Sequence, residues 1–193
     1  MELPPIILAS ASPRRSELLR ELRKEFQVLP GHADEITPEH LTPSETAQVN
    51  AYRKARLVAK KHPDNLVLGA DTVVSLGRLI FGKPADMQAA EDMLAKLQGK
   101  THLVITGVCL IQLRSHWQKT FSVSTAVTFR SLHADQIRRY LAKINPLDKA
   151  GAYAIQDEGD LIVKTYKGSF TNVVGLPMER LKEELDMWPA VPA

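Results

Sequence analysis

A short turn between an apolar strand and a predicted helix carries polar side chains suited to binding an anion. The segment reads ILASASPRR, which places Ser12 as the helix N-cap and Pro13 as the first helical residue. Arg14 and Arg15 then fall in the first turn, where the macrodipole disfavours each cation by about 0.3–1 kcal/mol. A phosphate held by backbone N–H groups, both guanidiniums and the hydroxyls of Ser10 and Ser12 would reverse that penalty. The alternative is an ordinary helix start with two solvated arginines.

A carboxylate interrupts the apolar segment LVLGADTVV. Burying Asp71 there without a partner would cost several kcal/mol, so it must be paired, bind a metal or lie at a strand end facing a cleft. Thr72 is a second polar residue where the pattern favours Val or Ile. Asp71 is suited to hold Mg²⁺ or to act as the base for an attacking water. The alternative is a structural Asp that caps a loop.

Two later loops add polar groups of the same kind. Lys83 lies in a GKP loop after an apolar strand and is a good point-charge partner for phosphate, although the loop is not a Walker A motif. The run LDKAGAYAIQ ends at Gln156, whose amide both donates and accepts, as recognition of a uracil or thymine edge requires. The GKP pattern alone is not specific, and an ordinary loop explains the Gln156 run equally well.

Composition bounds the class of protein. With 193 residues, 44% of them apolar, the chain can bury a core, and we expect one domain over residues 1–193. No apolar run approaches the roughly 18 residues that span a bilayer, and nothing at the N-terminus resembles a secretory leader. We therefore expect a soluble, cytoplasmic protein without a membrane partner.

Charge and cysteine content bear on partners and chemistry. The net charge of +3 is small, and the pairs Lys60–Lys61 and Arg138–Arg139 fall late in predicted helices, so we expect no nucleic-acid partner. A weakly basic nucleic-acid-binding protein is the alternative, and it predicts salt-dependent binding. The single cysteine, Cys109, lies in LVITGVCLIQL and is expected to be a buried small hydrophobe rather than a nucleophile. The histidines and cysteine lack the spacing of a structural zinc site.

The elements that must position these residues follow from apolar spacing and capping patterns. Helices alternate with strands, yet at least two strand pairs are predicted hairpins, which indicates an α/β fold with a mixed, twisted sheet flanked by helices. The predicted strands are Ile6–Ala9, Phe26–Leu29, LVLGADTVVSL, LIF, Leu103–Leu113, Thr120–Arg130 and Leu161–Tyr166. The predicted helices run from Pro13 to Arg23, Thr42 to Lys61, Asp86 to Gly99, Ala134 to Ile144 and onward from Pro177.

Five segments taken together, ASASPRRSELL, LGADTVV, GKP, DKAGAYAIQ and GSFTNVVGLP, resemble the Maf family of nucleotide pyrophosphatases over nearly the whole chain. The resemblance implies a single domain related to inosine triphosphatases, with a deep cleft. It also implies conversion of a nucleoside triphosphate to its monophosphate and pyrophosphate, with a divalent cation, Mg²⁺ or Mn²⁺, as cofactor. A homodimer follows only by family analogy.

Within that family the chain resembles the dTTP/UTP branch rather than the 7-methyl-GTP branch. The sister branch has SPWR in place of Ser12–Arg15 and SDQ in place of Ala70–Thr72, and it lacks the YxIQ found at Tyr153–Gln156. The resemblance therefore implies that dTTP, UTP or a modified pyrimidine nucleotide is the substrate and that Asp71 is the proton acceptor. The other implied roles are specificity for Arg14, Thr72 and Gln156, phosphate binding for Ser10, Ser12, Arg15, Lys54 and Lys83, and metal binding for Glu35 with Asp71.

The chain departs from the family pattern in two places. The acidic stretch Asp157–Asp160 replaces a glycine-rich one, and its carboxylates are unfavourable beside a triphosphate unless they point outward or meet a metal. Arg53 stands before Lys54 where the family commonly has a glutamate. An alternative function is a nucleotide-binding regulatory protein of cell division or septum formation, for which hydrolysis is incidental.

Overall fold

One mixed sheet of seven strands organises the chain. The computed structural model describes residues 3–188, so both ends of the predicted 1–193 unit, including the tail after Trp188, lie outside the described residues. The strand order is β2-β1-β3-β5-β6-β7, with β4 paired to β3. Only β2 and β3 run parallel to β1, and the other pairs are antiparallel. The strands are β1 (Ile6–Leu8), β2 (Phe26–Val28), β3 (Leu66–Leu76), β4 (Leu79–Phe81), β5 (Thr101–Gln112), β6 (Trp117–Phe129) and β7 (Val163–Lys167).

Six α-helices of residues 3–188 accompany the sheet, and two of them begin with the predicted capping contacts. Thr42 and Glu45 form a capping box at the start of the second helix, and the Asp86 carboxylate accepts from the Ala89 N–H at the start of the third, 2.7 Å away. The helices are α1 (Pro13–Arg20), α2 (Pro43–Ala59), α3 (Met87–Leu97), α4 (Ala134–Leu141), α5 (Phe170–Val174) and α6 (Met178–Asp186). The mixed α/β fold and both hairpins, β3–β4 and β5–β6, are confirmed.

Several predicted boundaries were too long. Helix α1 ends at Arg20 because Arg23 takes a positive φ of 53°, although Leu22 beyond the helix still packs on the core. The regular spacing of apolar residues therefore continues beyond the end of the helix. Strand β7 begins at Val163 because Gly159–Leu161 forms a 3-10 turn. Helix α4 likewise stops at Leu141, and the short helix α5 was missed because it has only five residues.

The two faces of the sheet are covered by different helices. Side chains alternate along the strands, so Val67 and Cys109 pack against α2, whereas Leu68 and Leu110 pack among α1 and α6 on the other face. Cys109 is fully buried, and this burial raises the pKa of its thiol to about 11. Its predicted role as a small hydrophobe is confirmed.

The central strand β3 has an incomplete edge. On the side away from β5, it pairs with β1 over residues 66–68 and with β4 over 74–76. Within the described chain, the residues between these two pairings have no strand neighbour on that side. Asp71 and Thr72 lie in this gap, beside the turn that follows β1, and alternation along the strand points their side chains to opposite faces.

Helix α2 packs unusually close to the sheet at two glycines. A Cβ atom at Gly69 would meet the backbone of Ala51, and one at Gly107 would meet the backbone of Ala47. Gly107 is the register partner of Asp71 on the neighbouring strand. The missing side chains therefore let α2 lie directly over the gap in β3. No helix in residues 3–188 has the length and apolar character needed to cross a membrane.

Candidate active site

A cavity of about 590 Å³ lies over the gap in β3. Its volume falls within the range of about 300–1,000 Å³ usual for small-molecule sites. Its walls include the turn after β1, the loop before α2, the middle of α2, strand β3, the GKP loop and the loop before β7. The structure brings together every site residue named from the sequence: Ser10, Ser12, Arg14, Arg15, Glu35, Lys54, Asp71, Thr72, Lys83 and Gln156.

Asp71 and Glu35 share one cation. The Lys54 ammonium donates to Asp71 Oδ1 at 2.6 Å and to Glu35 Oε1 at 2.8 Å. The side chains of Asp71 and Lys54 are 5% and 12% exposed, so this ion pair is largely shielded from water. Asp71 therefore lies inside a long strand, not at a strand end, and its burial is compensated by a partner. Lys54, named as a phosphate ligand, is bonded to carboxylates in this arrangement.

Asn50 is a site residue that the sequence analysis missed. It lies one helical turn before Lys54 and is 3% exposed. Its Nδ2 donates to Asp71 Oδ2 at 3.2 Å and to the Ile36 carbonyl at 3.0 Å, while its Oδ1 accepts from the Ile36 N–H at 3.0 Å. One amide thus ties Asp71 to the loop that carries Glu35. Asn50 could have been identified from the sequence by its i, i+4 spacing from Lys54 on the predicted helix.

Glu35 also contacts Lys83. The two side chains lie 3.4 Å apart, with Lys83 at 54% and Glu35 at 40% exposure. Partial burial favours the neutral acid, but the hydrogen bonds and charges of Lys54 and Lys83 outweigh it and lower the pKa of Glu35 from its ordinary value. Glu35 is therefore ionised at neutral pH, and the GKP loop places Lys83 at the same carboxylate.

Arg15 connects three parts of the chain. Its Nε donates to the Gly175 carbonyl at 2.8 Å, Nη1 to Ser10 Oγ at 3.1 Å and Nη2 to Thr72 Oγ1 at 2.9 Å. All three acceptors are neutral. Burial lowers the pKa of Arg15, an effect opposed by the nearby Asp71 charge, yet the guanidinium remains charged. The first helical turn therefore holds a partly buried cation that has neutral hydrogen-bond partners and further N–H groups.

Thr72 belongs to a chain of hydroxyl contacts. The Thr106 hydroxyl donates to the Asn172 carbonyl at 2.9 Å and lies 3.0 Å from Thr72 Oγ1. Because each hydroxyl has one proton, Thr72 must donate to Thr106 while it accepts from Arg15. Thr72 therefore lines the cavity, but its hydroxyl proton is donated to Thr106 in the protein interior. Thr106 was not named from the sequence.

Arg14 lines the cavity and pairs with an acidic residue from a distant loop. Its Nη1 lies 3.3 Å from Asp148 Oδ2, in the DKAGAYAIQ segment. Asp148 also accepts from the buried ammonium of Lys149 at 2.9 Å. The acidic partner explains how Arg14 is tolerated in the first turn of α1. Neither Asp148 nor Lys149 was named from the sequence, because their pairing with α1 is a long-range contact.

The acidic stretch that departs from the family pattern lies at the surface. Asp157 is 3.9 Å from Lys149 and Glu158 is 3.0 Å from Lys143. Asp160 is exposed, and its backbone carbonyl accepts from Arg130 at 3.2 Å. The cavity lining in this segment of the described chain extends to Gln156 and includes none of these carboxylates. They point outward, which resolves the predicted conflict with a triphosphate.

Comparison with known proteins identifies the family. The family model described as Maf-like protein matches residues 5–188. The chain belongs to the Maf-like family. Two relatives of this Maf-like chain, from Syntrophus aciditrophicus and Pelotomaculum thermopropionicum, are 44% and 46% identical to it and are both named dTTP/UTP pyrophosphatase. Each alignment covers 93% of the chain, with 88% and 94% of the respective relative.

A solved structure supports the fold of this Maf-like domain. The Ham1 protein of Staphylococcus aureus superposes with a TM-score of 0.52 at 14% sequence identity. The match covers 95% of this chain and 98% of the Ham1 chain. At this low identity, the likeness concerns the arrangement of the sheet and helices only.

The donor set of the Maf-like site suits a hard divalent cation. Residues 3–188 contain no group of three or more His, Cys, Asp or Glu side chains arranged to hold a metal. Glu35 and Asp71 are nevertheless both ionisable oxygen donors, held close together by the Lys54 ammonium. Mg²⁺ is commonly bound by one or two carboxylates together with water and substrate phosphates. The two carboxylates therefore fit a cation that arrives with a nucleotide.

Proposed function

We propose that this chain hydrolyses dTTP and UTP to the nucleoside monophosphate and pyrophosphate. The observation that carries the proposal is the convergence of a buried carboxylate, a cationic turn and an amide-bearing loop on one cavity. The relatives named dTTP/UTP pyrophosphatase support the choice of substrate. Modified pyrimidine triphosphates belong to the same substrate class.

Asp71 is proposed as the proton acceptor. Lys54 and Asn50 each occupy one of its oxygens, which orients the carboxylate while leaving lone pairs for a water molecule. In the reaction, the water oxygen bonds to the α-phosphorus and its proton passes to Asp71. The bond from the α-phosphorus to the bridging oxygen breaks, and its electron pair leaves with pyrophosphate. Asp71 then returns the proton to solvent.

A divalent cation, Mg²⁺ or Mn²⁺, would be held by Glu35 and Asp71 and would supply charge stabilisation to the phosphate oxygens. The protein supplies its own cations at the same cavity. Lys83 is half exposed, and it would exchange its 3.4 Å contact with Glu35 for a phosphate oxygen. Lys54 keeps the two carboxylates together and adds positive charge beside them.

The turn after β1 is proposed to hold the phosphates. Ser12 caps α1 through its backbone conformation, with no capping bond from its side chain in the described structure, which leaves that hydroxyl for a ligand. Arg15 holds Ser10 in place and retains N–H groups beyond its three protein contacts. Together with the backbone N–H groups of the first turn, these form an anion site.

Recognition of the base is proposed for Arg14, Thr72 and Gln156, which line the same cavity from α1, from β3 and from the loop before β7. The Gln156 amide offers a donor and an acceptor, which match the O4 and N3–H edge of uracil or thymine. Cytosine presents the reversed pattern at that edge, so the same amide must turn over to bind it.

The test is pyrophosphate release from dTTP, UTP, CTP and the purine triphosphates, with Mg²⁺ or Mn²⁺. We expect kcat/KM for dTTP and UTP to exceed that for CTP by about tenfold or more. EDTA should abolish turnover, and added metal should restore it. Tight binding without turnover would favour the regulatory alternative, whereas strongly salt-dependent binding of DNA or RNA would favour a nucleic-acid-binding protein.

Two finer expectations remain part of the proposal. A nucleotide substrate and a buried, unpaired Cys109 fit a reducing cytoplasmic compartment. A homodimer is proposed on family analogy alone, and light scattering of the purified chain at micromolar concentration tests it.

A further inference from the structure

The wall that carries Gln156 lies outside the sheet. Residues 153–156 follow the 3-10 turn Ala150–Ala152 and precede the turn Gly159–Leu161. Tyr153 has an extended backbone with φ of −144° and ψ of 164°, and the chain bends at residues 155–156. The buried residues Tyr153 and Ala154 must satisfy their backbone N–H and C=O groups in some other way than by strand pairing.

A tyrosine hydroxyl satisfies both groups of Ala154. Tyr140 lies on α4 and is 1% exposed. Its oxygen accepts from the Ala154 N–H at 3.1 Å, and its hydroxyl donates to the Ala154 carbonyl at 3.2 Å. One side chain thus makes the pair of bonds that a neighbouring strand would make. Burial raises the pKa of Tyr140 to about 12, so the hydroxyl keeps its proton at neutral pH.

The residues on either side of Ala154 are held by different cores. Tyr153 packs edge-on against Phe129 and its hydroxyl lies 2.9 Å from His102 Nε2. Ile155 packs against the other cluster, which contains Leu68. The hydroxyl of Tyr140 therefore bonds to Ala154 between two packed side chains, Tyr153 and Ile155. These contacts fix the backbone two residues before Gln156.

We propose that Tyr140 is a positioning residue for base recognition, which acts by fixing the Ala154 backbone so that Gln156 meets the base in one orientation. The inference rests on the proposed recognition of pyrimidine nucleotides at this cavity. It differs from a purely structural role because it ties the hydroxyl to selectivity between bases.

The test is Tyr140→Phe, which removes the hydroxyl and keeps the ring. Binding of UTP and CTP is measured by calorimetry with EDTA, so that the result does not depend on turnover. Because the variant loses both hydrogen bonds to Ala154, we expect the affinity for UTP to fall about tenfold and the preference for UTP over CTP to fall by a similar factor. Where turnover occurs, KM should rise while kcat changes little.

Two further variants separate positioning from stability. Ile137→Val removes one methylene from the same buried face of α4, and it should lower Tm without changing the preference for UTP. In a Gln156→Ala background, Tyr140→Phe should cause no additional loss of preference, because the side chain that it positions is already absent.

Each outcome bears on the proposal. An unchanged ratio of UTP to CTP affinity in a folded Tyr140→Phe protein overturns it, as does an independent second loss in the Gln156→Ala background. Tyr140→Met, which also lacks a hydroxyl, is the second variant if the first does not fold, and failure of both to fold shows that the hydroxyl serves the fold alone. If the wild-type chain binds UTP selectively but releases no pyrophosphate, the proposed hydrolysis fails while this inference stands.

Discussion

The Lys54 ammonium lies 2.6 Å from Asp71 Oδ1, within a pair that is almost fully withdrawn from water. The contact joins α2 to the central strand at the gap in the sheet. The same ammonium reaches Glu35 at 2.8 Å, so one cation holds together the two carboxylates proposed to bind metal. The electrostatic organisation of the site therefore depends on α2 as much as on β3.

Removing the cation should destabilise the fold. In Lys54→Met, Asp71 would remain buried without its partner, and the free energy of unfolding should fall by about 3 kcal/mol. Urea denaturation at neutral pH measures the effect. Adding Asp71→Asn should recover part of the loss, because the uncompensated charge is then absent. Lys143→Met breaks an exposed pair with Glu158 and should cost less than about 1 kcal/mol; an equal loss in that control would contradict the prediction.

Removing the proposed proton acceptor should stop the reaction without unfolding the protein. Asp71→Asn keeps the shape of the side chain and an oxygen for Lys54, so we expect kcat to fall about 100-fold to 10,000-fold. Pyrophosphate release gives the rate, and circular dichroism checks folding. The matched control is Asp64→Asn, at an exposed pair with Arg114, and neither residue lines the cavity. Near wild-type turnover by Asp71→Asn would remove Asp71 from the mechanism.

The lowered pKa of Glu35 predicts a pH-dependent contribution to stability. Burial disfavours the ionised form, but Lys54 and Lys83 favour it more strongly and lower the pKa of Glu35 in the folded protein. A depressed folded-state pKa contributes stability above the unfolded pKa, and this is lost as the pH falls through the folded value. Wild type should therefore exceed Glu35→Gln in Tm at about pH 7, and the difference should shrink as the pH falls below the ordinary glutamate pKa of about 4.3. Glu17→Gln, on the exposed face of α1, controls for general charge effects. A difference that stays constant over this range would contradict the assignment.

The close packing of α2 should be sensitive to a single methyl group. In Gly107→Ala, the new Cβ would overlap the backbone of Ala47, so α2 must shift and carry Asn50 and Lys54 away from Asp71. We expect a loss of about 2 kcal/mol in unfolding free energy and a marked loss of turnover. Gly82→Ala adds a methyl group into open space and should leave stability unchanged. Equal stability of the two variants, measured by urea denaturation, would show that the contact at Gly107 can relax.

Two unfavourable features of the sequence correctly identified residues of the cavity, and the reason is physical. A carboxylate in an apolar strand requires compensation wherever it is buried, and two arginines at a helix N-terminus require an offset. Both requirements are met in the structure, by Lys54 for Asp71 and by Asp148 for Arg14. Which residues meet them could not be predicted, because Arg14 and Asp148 lie 134 positions apart.

The sequence by itself determined most of the helices and strands, the mixed sheet and the family, because apolar periodicity, capping residues and short motifs are local properties. The cavity, the commitment of Arg15 to Gly175, Ser10 and Thr72, and the outward direction of the Asp157–Asp160 stretch were settled only by tertiary structure. These features depend on which side chains meet across helices and strands distant in sequence. The local sequence pattern indicates only that a buried polar group must have a partner. The packing of α2 and of the loop before β7 against the sheet determines which residue that partner is.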